Sequence, residues 1–466
     1  MEKITVLDII TTAQGGKRLL EYRVSVINGG GGFINYLACP GEAFFTGGFA
    51  GMGIPFEPFP MSRGLNPLTA CFEIFRFIKL LKRLNVDVLH AHTSKAGAVS
   101  RIGCALYNIR AGKKIYVCYQ VHSFYFNTVQ GLKSRLFRRL EIILSRFSDV
   151  ILFQNQHELE QARQSGMDKR ALLINIGNGI NLKELAPMAR VRSLPRWIMK
   201  NPAASSGVSS FREECDYMWG YIPHFVDVAL INRPKGRGMY PTDGIKVPGG
   251  NPPSAGGGNQ DMAAEQVEYK VPRPFVIICV ARVEPKKNHA MLIDAAVLLR
   301  KKLARIYGEA AAGRAFSIIC AGEIGETWIT EYAEKQGLGG IITFTGIKDK
   351  NELALLLDRS DLSVLTSTAE GKPRALMESM CMGIPCIATG VCGTRDVIED
   401  GRTGRLSPLG DAEAFAECLF KIMHDPEGYR SFSERSLEKA KNEFDENKVI
   451  EKLKSLYREK PKKPLP

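Results

Sequence analysis

No run of about 18 consecutive apolar residues occurs in the chain, so no segment reads as a membrane-spanning helix. The amino terminus, MEKITVLDIITT, lacks the basic start, long apolar stretch and small-residue cleavage site of a secretory leader, and reads instead as a first β-strand. Eleven cysteines include no C-x-x-C pair and no zinc spacing. Cys39, Cys279 and Cys320 sit in or beside apolar runs, where a thiol packs as a small hydrophobe. A reducing, cytoplasmic setting without a disulfide framework is expected. No D-x-D pair flanked by strands and no His/Asp cluster with ligand spacing is visible, so no metal site is expected. No RRM-, KH- or finger-like pattern accompanies the basic charge, which sets nucleic acid aside as a partner.

What is present is a chain of 466 residues, 45% hydrophobic and 24% charged, the make-up of a globular protein too long for one core. Its net charge of +14 is uneven, because residues 1–184 hold 23 basic and 13 acidic side chains. That surplus is either a solvated basic surface or a surface for anionic lipid or a phosphorylated acceptor.

The first third alternates apolar strand candidates (4–10, 33–38, 87–91, 115–121, 150–153, 172–176) with helical patterns at 67–84, 95–107, 132–147 and 156–164. Such alternation predicts a mostly parallel sheet covered on both faces. The pattern breaks near Pro187 and resumes near Phe275, across Gly/Pro clusters such as VPGGNPPSAGGGNQ, which resist helix and strand alike. Within that break Trp197, Trp219 and the YIPHFVDVALI run could form a small ordered patch. From Phe275 the alternation returns (FVIICVA, FSIICAG, IITFTG, LSVLT, IPCIAT), and the end of the chain is helical. The expected organisation is α/β: a Rossmann-like domain at 1–186, a linker or insertion at 187–270, a second Rossmann-like domain at 271–445, and a helix and tail at 446–466 that pack back on the first domain. Open parallel sheets bind ligands beyond the carboxyl ends of their strands, so two such domains would share a cleft.

The most informative run is 368–385, TAEGKPRALMESMCMGIP, which follows the LSVLT strand and opens a helix. Glu370 lies in the loop and Glu378 about two turns on. Gly371 allows close backbone approach, and Pro373 suits a first helical turn. The resulting helix start offers free N–H groups to phosphate or sugar oxygens. Paired glutamates at a helix start are also common as capping charge, but that does not account for the Gly/Pro framing. A second constellation, ARVEPKK at 281–287, sets Arg282 at a strand exit and Lys287 at a helix entry, two cations that can converge on a diphosphate; Lys286 is the rival to Lys287. A third is His122, at the end of the strand YVCYQV.

These segments resemble the E-x(7)-E, G-R-x-x-x-x-K and V-H-G-F motifs of family 4 glycosyltransferases with the GT-B fold, two Rossmann-like doubly wound domains facing across a cleft. Ala281, Ser123 and Cys392 stand where that family carries glycine. His90, His92, Lys95 and Gly97 resemble its H-x-H-x-x-K-A-G segment, so His92 and Lys95 are candidates for the acceptor wall. Asn178-Gly179-Ile180 resembles its N-G-V turn. Its early Gly-Gly loop is matched only loosely, by Gly15-Gly16 or by the 29–32 run, and the latter reads as a flexible turn.

The resemblance implies retaining transfer from a nucleotide-sugar, with the donor as substrate and no cofactor or metal. Arg282, Lys287 and Gly371 would hold the donor diphosphate and Glu378 the ribose hydroxyls. Glu370 and His122 would be the catalytic residues that position the sugar. The stretches 39–42 and 60–67 look like members that build bacterial surface polysaccharides, implying a saccharide or polyprenyl-diphosphate-linked acceptor at the inner membrane face; a UDP-sugar is the expected donor. In 131–140, Leu132, Leu136, Phe137 and Leu140 interleave with Lys133, Arg135, Arg138 and Arg139, a pattern that suits peripheral membrane contact or, equally, a helix facing the sheet. Two rivals remain: a nucleotide-sugar epimerase of the same fold, and a degenerate sugar-binding subunit, which the three lost glycines favour.

Overall fold

The computed structural model describes residues 3–42, 48–62, 66–111, 114–127, 129–194 and 273–461. Within the insertion, 195–270 lies outside them, with Trp197, Trp219 and the YIPHFVDVALI run; so do 63–65 of the 60–67 stretch and the tail 462–466. Residues 1–199 and 274–466 cluster as one compact unit.

That unit is built on two parallel sheets. The first has the order β3-β2-β1-β4-β5-β6-β7, from β1 (Ile4–Ile9), β2 (Phe33–Cys39), β3 (Phe56–Pro58), β4 (Val88–His92), β5 (Tyr116–Val121), β6 (Val150–Phe153) and β7 (Leu172–Asn175). The second has the order β10-β9-β8-β11-β12-β13, from β8 (Phe275–Val280), β9 (Phe316–Ala321), β10 (Ile342–Gly346), β11 (Leu362–Leu365), β12 (Cys386–Thr389) and β13 (Gly404–Ser407). Both reverse direction beside their first strand, at β1/β4 and at β8/β11, the topological switch points where doubly wound sheets open a crevice. The central strands are apolar runs buried on both faces (β5 and β11 throughout), as helices on both sides of a sheet demand.

Helices α1 (Glu21–Gly29), α2 (Pro67–Leu84), α3 (Ser94–Arg110), α4 (Gly131–Leu144) and α5 (Gln156–Gln164) belong to the first lobe. Helix α2 shows how local chemistry sets the bounds: the Asn66 side chain accepts from Leu68 N–H, Pro67 takes the first turn, and Asn85 ends the helix at φ 49°, each a known cap or stop. The second lobe carries α6 (His289–Tyr307), α7 (Glu309–Ala315), α8 (Trp328–Lys335), α9 (Lys350–Asp358), α10 (Arg374–Cys381), α11 (Ala412–His424) and α12 (Pro426–Glu443).

The chain crosses between lobes twice. After β7, residues 189–194 already dock on the second lobe, where Arg192 donates to the carbonyls of Met382 and Ser360. It returns through α13 (Glu446–Glu459), whose Val449, Ile450, Leu453, Leu456 and Tyr457 enter a core with Val6, Phe33, Val88 and Cys118 of the first sheet. Two edge strands, β3 and β13, go beyond the strands expected from the sequence. Helix α4 resolves an open choice: Phe137 and Ile142 pack on the core of the first lobe, whereas Leu132, Leu136 and Leu140 are exposed.

Candidate active site

A cavity of about 1270 Å³ lies between the carboxyl ends of the two sheets, and Arg282, Lys287, Glu370, Gly371, Glu378, His122 and Lys95 all line it. Fold and loop chemistry explain the convergence. Arg282 leaves β8, the first strand of its sheet, and Glu370 leaves β11, its neighbour across the switch point. The exposed Arg282 guanidinium pairs with Glu284 at 3.1 Å. Lys287 reaches Glu370 at 2.6 Å. Burial raises the Glu370 carboxyl, but Lys287 and Lys286 outweigh it and hold the group below its ordinary value. Glu378, two turns along α10, is shifted the other way: burial pushes it up, and Arg374, Arg18 and Lys350 only partly offset this. The two glutamates of one motif thus sit in opposite electrostatic settings.

The first lobe grips the same loop by its backbone. Asn155 caps α5, accepting from Glu158 N–H at 2.8 Å, and its amide also donates to the Gly371 carbonyl at 2.9 Å. Asn178 donates to the Lys372 carbonyl at 3.1 Å. On the rim, Lys350 of α9 reaches Glu184 of the first lobe at 3.0 Å. Residue 371 must be glycine because the backbone of His122 occupies the space a β-carbon would need. Gly393 packs on its other side, where a β-carbon would meet the Gly371 carbonyl oxygen at 2.1 Å.

Two of the three positions where glycine was expected have a neighbouring glycine at the close approach. The close approach beside Cys392 is made by Gly393, and the one beside Ala281 by Gly322, whose built β-carbon would lie 2.2 Å from the Ala281 oxygen. Ser123 has no left-handed backbone and bonds Glu158. Of the two candidate glycine runs, Gly15-Gly16 stands at the first turn after β1, where Gly15 N–H donates to Thr12 Oγ1. Lys17 and Arg18 beside it line the cavity, whereas Gly29–Gly32 ends α1 and leads into β2.

The expected acceptor wall divides. Lys95 reaches the cavity, with its ammonium held by Ser62 and by Glu73 at 3.2 Å. His92 is a correction: it is fully buried and takes no part in the wall. Its Nδ1 lies 3.1 Å from His122 Nε2 and its Nε2 2.6 Å from Asp8 Oδ1, while Gln154 Nε2 lies 2.8 Å from His122 Nδ1. One proton assignment satisfies all three bonds: Gln154 donates to His122, His122 to His92, and His92 to Asp8. Burial holds both imidazoles well below their ordinary values, helped by Arg23 and, for His122, by His92 and Arg374. Both are therefore neutral, as that assignment requires. Next to them Thr93, which also lines the cavity, takes φ 67°, an outlier for a β-branched residue and a mark of stored strain.

A His/Asp grouping does exist in space, correcting the expectation from spacing alone. Asp8, His90 and His92 bring ligand atoms within 4.8 Å of one another. The group is wired as a hydrogen-bond network, with His90 Nδ1 2.6 Å from Tyr457 OH and the buried Arg23 guanidinium adding positive charge beside it. Asp8, Arg18, Gln154 and Asn155 carried no signal in the sequence, because nothing in their spacing links them to the motifs they meet.

Residues 262–439 match the family model described as glycosyl transferases group 1, and residues 22–177 the one described as glycosyl transferase 4-like domain. A UDP-Gal:alpha-D-GlcNAc-diphosphoundecaprenol alpha-1,3-galactosyltransferase of Escherichia coli is 22% identical over 399 residues, 85% of this chain and 81% of that one. The N-acetyl-alpha-D-glucosaminyl L-malate synthase of Bacillus anthracis is 34% identical over 116 residues, 25% of this chain. That match spans only 30% of the relative's length. Among solved structures, Alr3699/HepE of Anabaena, crystallised with UDP and glucose, superposes with a TM-score of 0.65 at 16% identity, covering 98% of this chain and all of that one. The shared architecture is GT-B.

Proposed function

The chain belongs to the glycosyl transferases, a 4-like domain followed by a group 1 domain on the GT-B fold, and from that premise we propose that it transfers a sugar from a UDP-sugar, with retention of configuration, to a saccharide or polyprenyl-diphosphate-linked saccharide in surface polysaccharide synthesis. One observation carries the reading: cations and acids from two motifs more than 80 residues apart, together with His122 from the opposite lobe, line a single cavity. The name of the Escherichia coli relative, with its UDP-linked donor and diphosphoundecaprenol acceptor, supports the choice of substrates.

In this reading Arg282 and Lys287 meet the charge that grows on the departing diphosphate, where electrostatic stabilisation contributes most. Lys287 would exchange part of its bond to Glu370 for the phosphate. Glu378 accepts the ribose hydroxyls. Glu370 and the backbone at Gly371 hold the sugar ring, and His122 faces it from the first lobe. The acceptor oxygen attacks the anomeric carbon on the face the phosphate leaves. As the C–O bond to the acceptor forms and that to the phosphate breaks, the acceptor's proton passes to the leaving phosphate oxygen. No cofactor or divalent cation takes part. The closed lobes keep out water, which would otherwise hydrolyse the donor. The protein works at the cytoplasmic membrane face, where such an acceptor resides.

The test is a screen of UDP-, GDP- and ADP-sugars by thermal shift, then transfer assays with chelator and NMR of the product anomer. UDP should stabilise the protein, the product should keep the donor's configuration, chelator should change nothing, and Glu370→Ala should be silent. An inverted anomer overturns retention. Donor epimerised without acceptor points to an epimerase, and binding without turnover in the wild type to a sugar-binding subunit.

A further inference from the structure

The turn that follows β1 carries a cation that no motif accounts for. Gly15 opens it, and a β-carbon there would lie 2.8 Å from Thr12 Oγ1. From Gly16 to Leu20 the chain winds as a π-helical turn, closed by Glu21 N–H donating to the Gly16 carbonyl. The wider turn re-aims the side chains it holds, and such turns are frequent at functional sites. Here it brings Lys17, Arg18 and Glu21 to the cavity wall. Arg18 stands apart from the other cations of the cleft. Arg282 pairs with Glu284, Lys287 with Glu370, and Arg374 with Glu446 and Glu378. Among the described residues Arg18 has neither an ion pair nor a side-chain hydrogen bond, and it is open to the cavity. Burial in the cleft lowers its guanidinium from the ordinary value, Glu378 offsets part of this, and Arg282 adds to it. Both of those charged neighbours belong to the opposite lobe.

A guanidinium does not shed its proton, so Arg18 keeps its charge and its fork of donors. An anion seated between Arg18 and Arg282 would turn their repulsion into two attractions. A diphosphate offers oxygens on opposite sides, which suits two planar forks approaching from different lobes. We propose that Arg18 is a donor-binding residue, the first lobe's contact to the diphosphate that Arg282 and Lys287 hold from the second. The inference rests on the functional reading above in one respect, the nucleoside-diphosphate donor. Arg18 serves that diphosphate rather than an acceptor phosphate because the charged groups facing it, Glu378 and Arg282, are those of the donor side. The contact spans the cleft, so the donor itself ties the lobes together. Arg18 also meets the charge that grows on the leaving diphosphate, where an aimed cation contributes most.

Titration of UDP, uridine and inorganic pyrophosphate into the full chain and its Arg18→Met variant tests the assignment. Met keeps an apolar stem and removes the charge. UDP affinity should fall at least roughly tenfold, as for the loss of one hydrogen bond between charged groups, and pyrophosphate affinity should fall with it. Uridine should bind both proteins alike. Arg18→Lys, a point charge in place of a fork, should recover part of the loss. The unliganded melting temperature of Arg18→Met should hold or rise, because the cation removed is one that burial and Arg282 both disfavour. A fall there would mark a structural role and overturn the proposal. Equal losses for UDP and uridine overturn it too, by assigning Arg18 to the Glu378 carboxylate. So does an acceptor KM that rises while UDP affinity holds, which would place Arg18 on an acceptor phosphate. If UDP binds the wild type and Arg18→Met equally, the functional reading stands and this inference fails. If pyrophosphate binding depends on Arg18 but no nucleoside diphosphate binds, the anion contact stands and the functional reading fails. A wild type that binds neither overturns both.

Discussion

A β-carbon built on Gly371 would lie 1.6 Å from the carbonyl oxygen of His122, so a loop of the second lobe rests directly on the backbone of the first. Neither atom is the end of a flexible side chain. Gly371→Ala must therefore part the lobes or bend both loops. A displacement of about 1 Å among reacting groups is enough for a hundredfold loss of rate, and we expect at least that in transfer assays. The two cores do not depend on this contact, so circular dichroism should stay native while small-angle scattering reports a larger radius of gyration. Wild-type activity at an unchanged radius would mean that the lobes need not meet here.

The Lys287–Glu370 pair gives a prediction with a defined sign. Glu370 titrates below its ordinary value, so whatever stability the pair contributes is fully present above the ordinary carboxylate range and is lost as pH falls through the depressed value. In Lys287→Met, Lys286 and the hydrogen bond from Ser367 are left to oppose burial. The carboxyl should then rise, and the acid limb of the pH–rate profile should move to higher pH. UDP affinity should fall by about tenfold or more, the worth of one charge-assisted hydrogen bond. An acid limb that stays in place would show that Glu370 does not govern it.

The Asp8–His92–His122 chain predicts an effect on turnover without one on donor binding. Asp8 and His92 touch no substrate; they fix which nitrogen of His122 carries the proton and how its ring is aimed. Asp8→Asn can present an N–H where His92 now donates, which reverses the tautomers along the chain. Loss of such a supporting bond costs about 10- to 100-fold, and here it should appear in kcat, with donor KM held. The ¹⁵N shifts of the His122 ring should report the exchanged tautomer. An equal fall in both constants without that spectral change would reduce Asp8 to a packing role.

Histidine burial also sets a pH dependence of stability. His90, His92 and His122 are all held well below their ordinary values, by burial first, with the Arg23 cation beside all three, Arg374 beside His122, and Asp8 the opposing charge beside His90. Neutral when folded, each takes up a proton on unfolding once pH falls below about 6.5. The unfolded state then binds more protons, so stability should fall as pH drops, by up to about 1.4 kcal/mol per pH unit for each histidine. Urea melts from pH 7 down to 5 would show this slope, and His90→Phe/His92→Phe should flatten it. A slope unchanged in that variant would assign it to carboxylates instead.

Much of the fold was legible because its signals are local. Apolar runs such as FVIICV and the caps of α2 or α5 need only neighbouring residues to take effect. Strands β3 and β13 were not, since three or four residues on a sheet edge, held by one neighbour, carry little periodicity. The motif residues converged as their positions after β8 and β11 imply. Their partners could not be read off, because Asn155 meets Gly371, and Asp8 meets His92, only through the fold. Helix α4 shows the limit of periodicity: a four-residue spacing of leucines identifies a face but does not say whether it looks in or out. Here the less regular Phe137 and Ile142 turned inward.

The second crossing offers a last test. Arg23 in α1 and Glu446 at the start of α13 are almost fully buried and lie 2.8 Å apart, with Arg23 also donating to Gln120 at 3.0 Å. Removing one partner of a buried pair leaves the other charge without compensation, at a cost of about 3–5 kcal/mol. Glu446→Gln should lower the urea midpoint accordingly. Arg23→Met/Glu446→Leu should recover most of the loss, because burying neither charge avoids the desolvation that the pair offsets. The effect should also reach the cleft. Arg374 lies 3.8 Å from both Glu446 and Glu378, so without the Glu446 carboxylate its charge acts on Glu378 alone and draws that carboxyl down from its raised position. UDP binding should then gain less affinity from rising pH between pH 5 and 7 in Glu446→Gln than in the wild type if Glu378 is the ribose acceptor, since more of it is already ionised at the lower end. Identical pH profiles for the two proteins would disconnect the α13 crossover from the donor site.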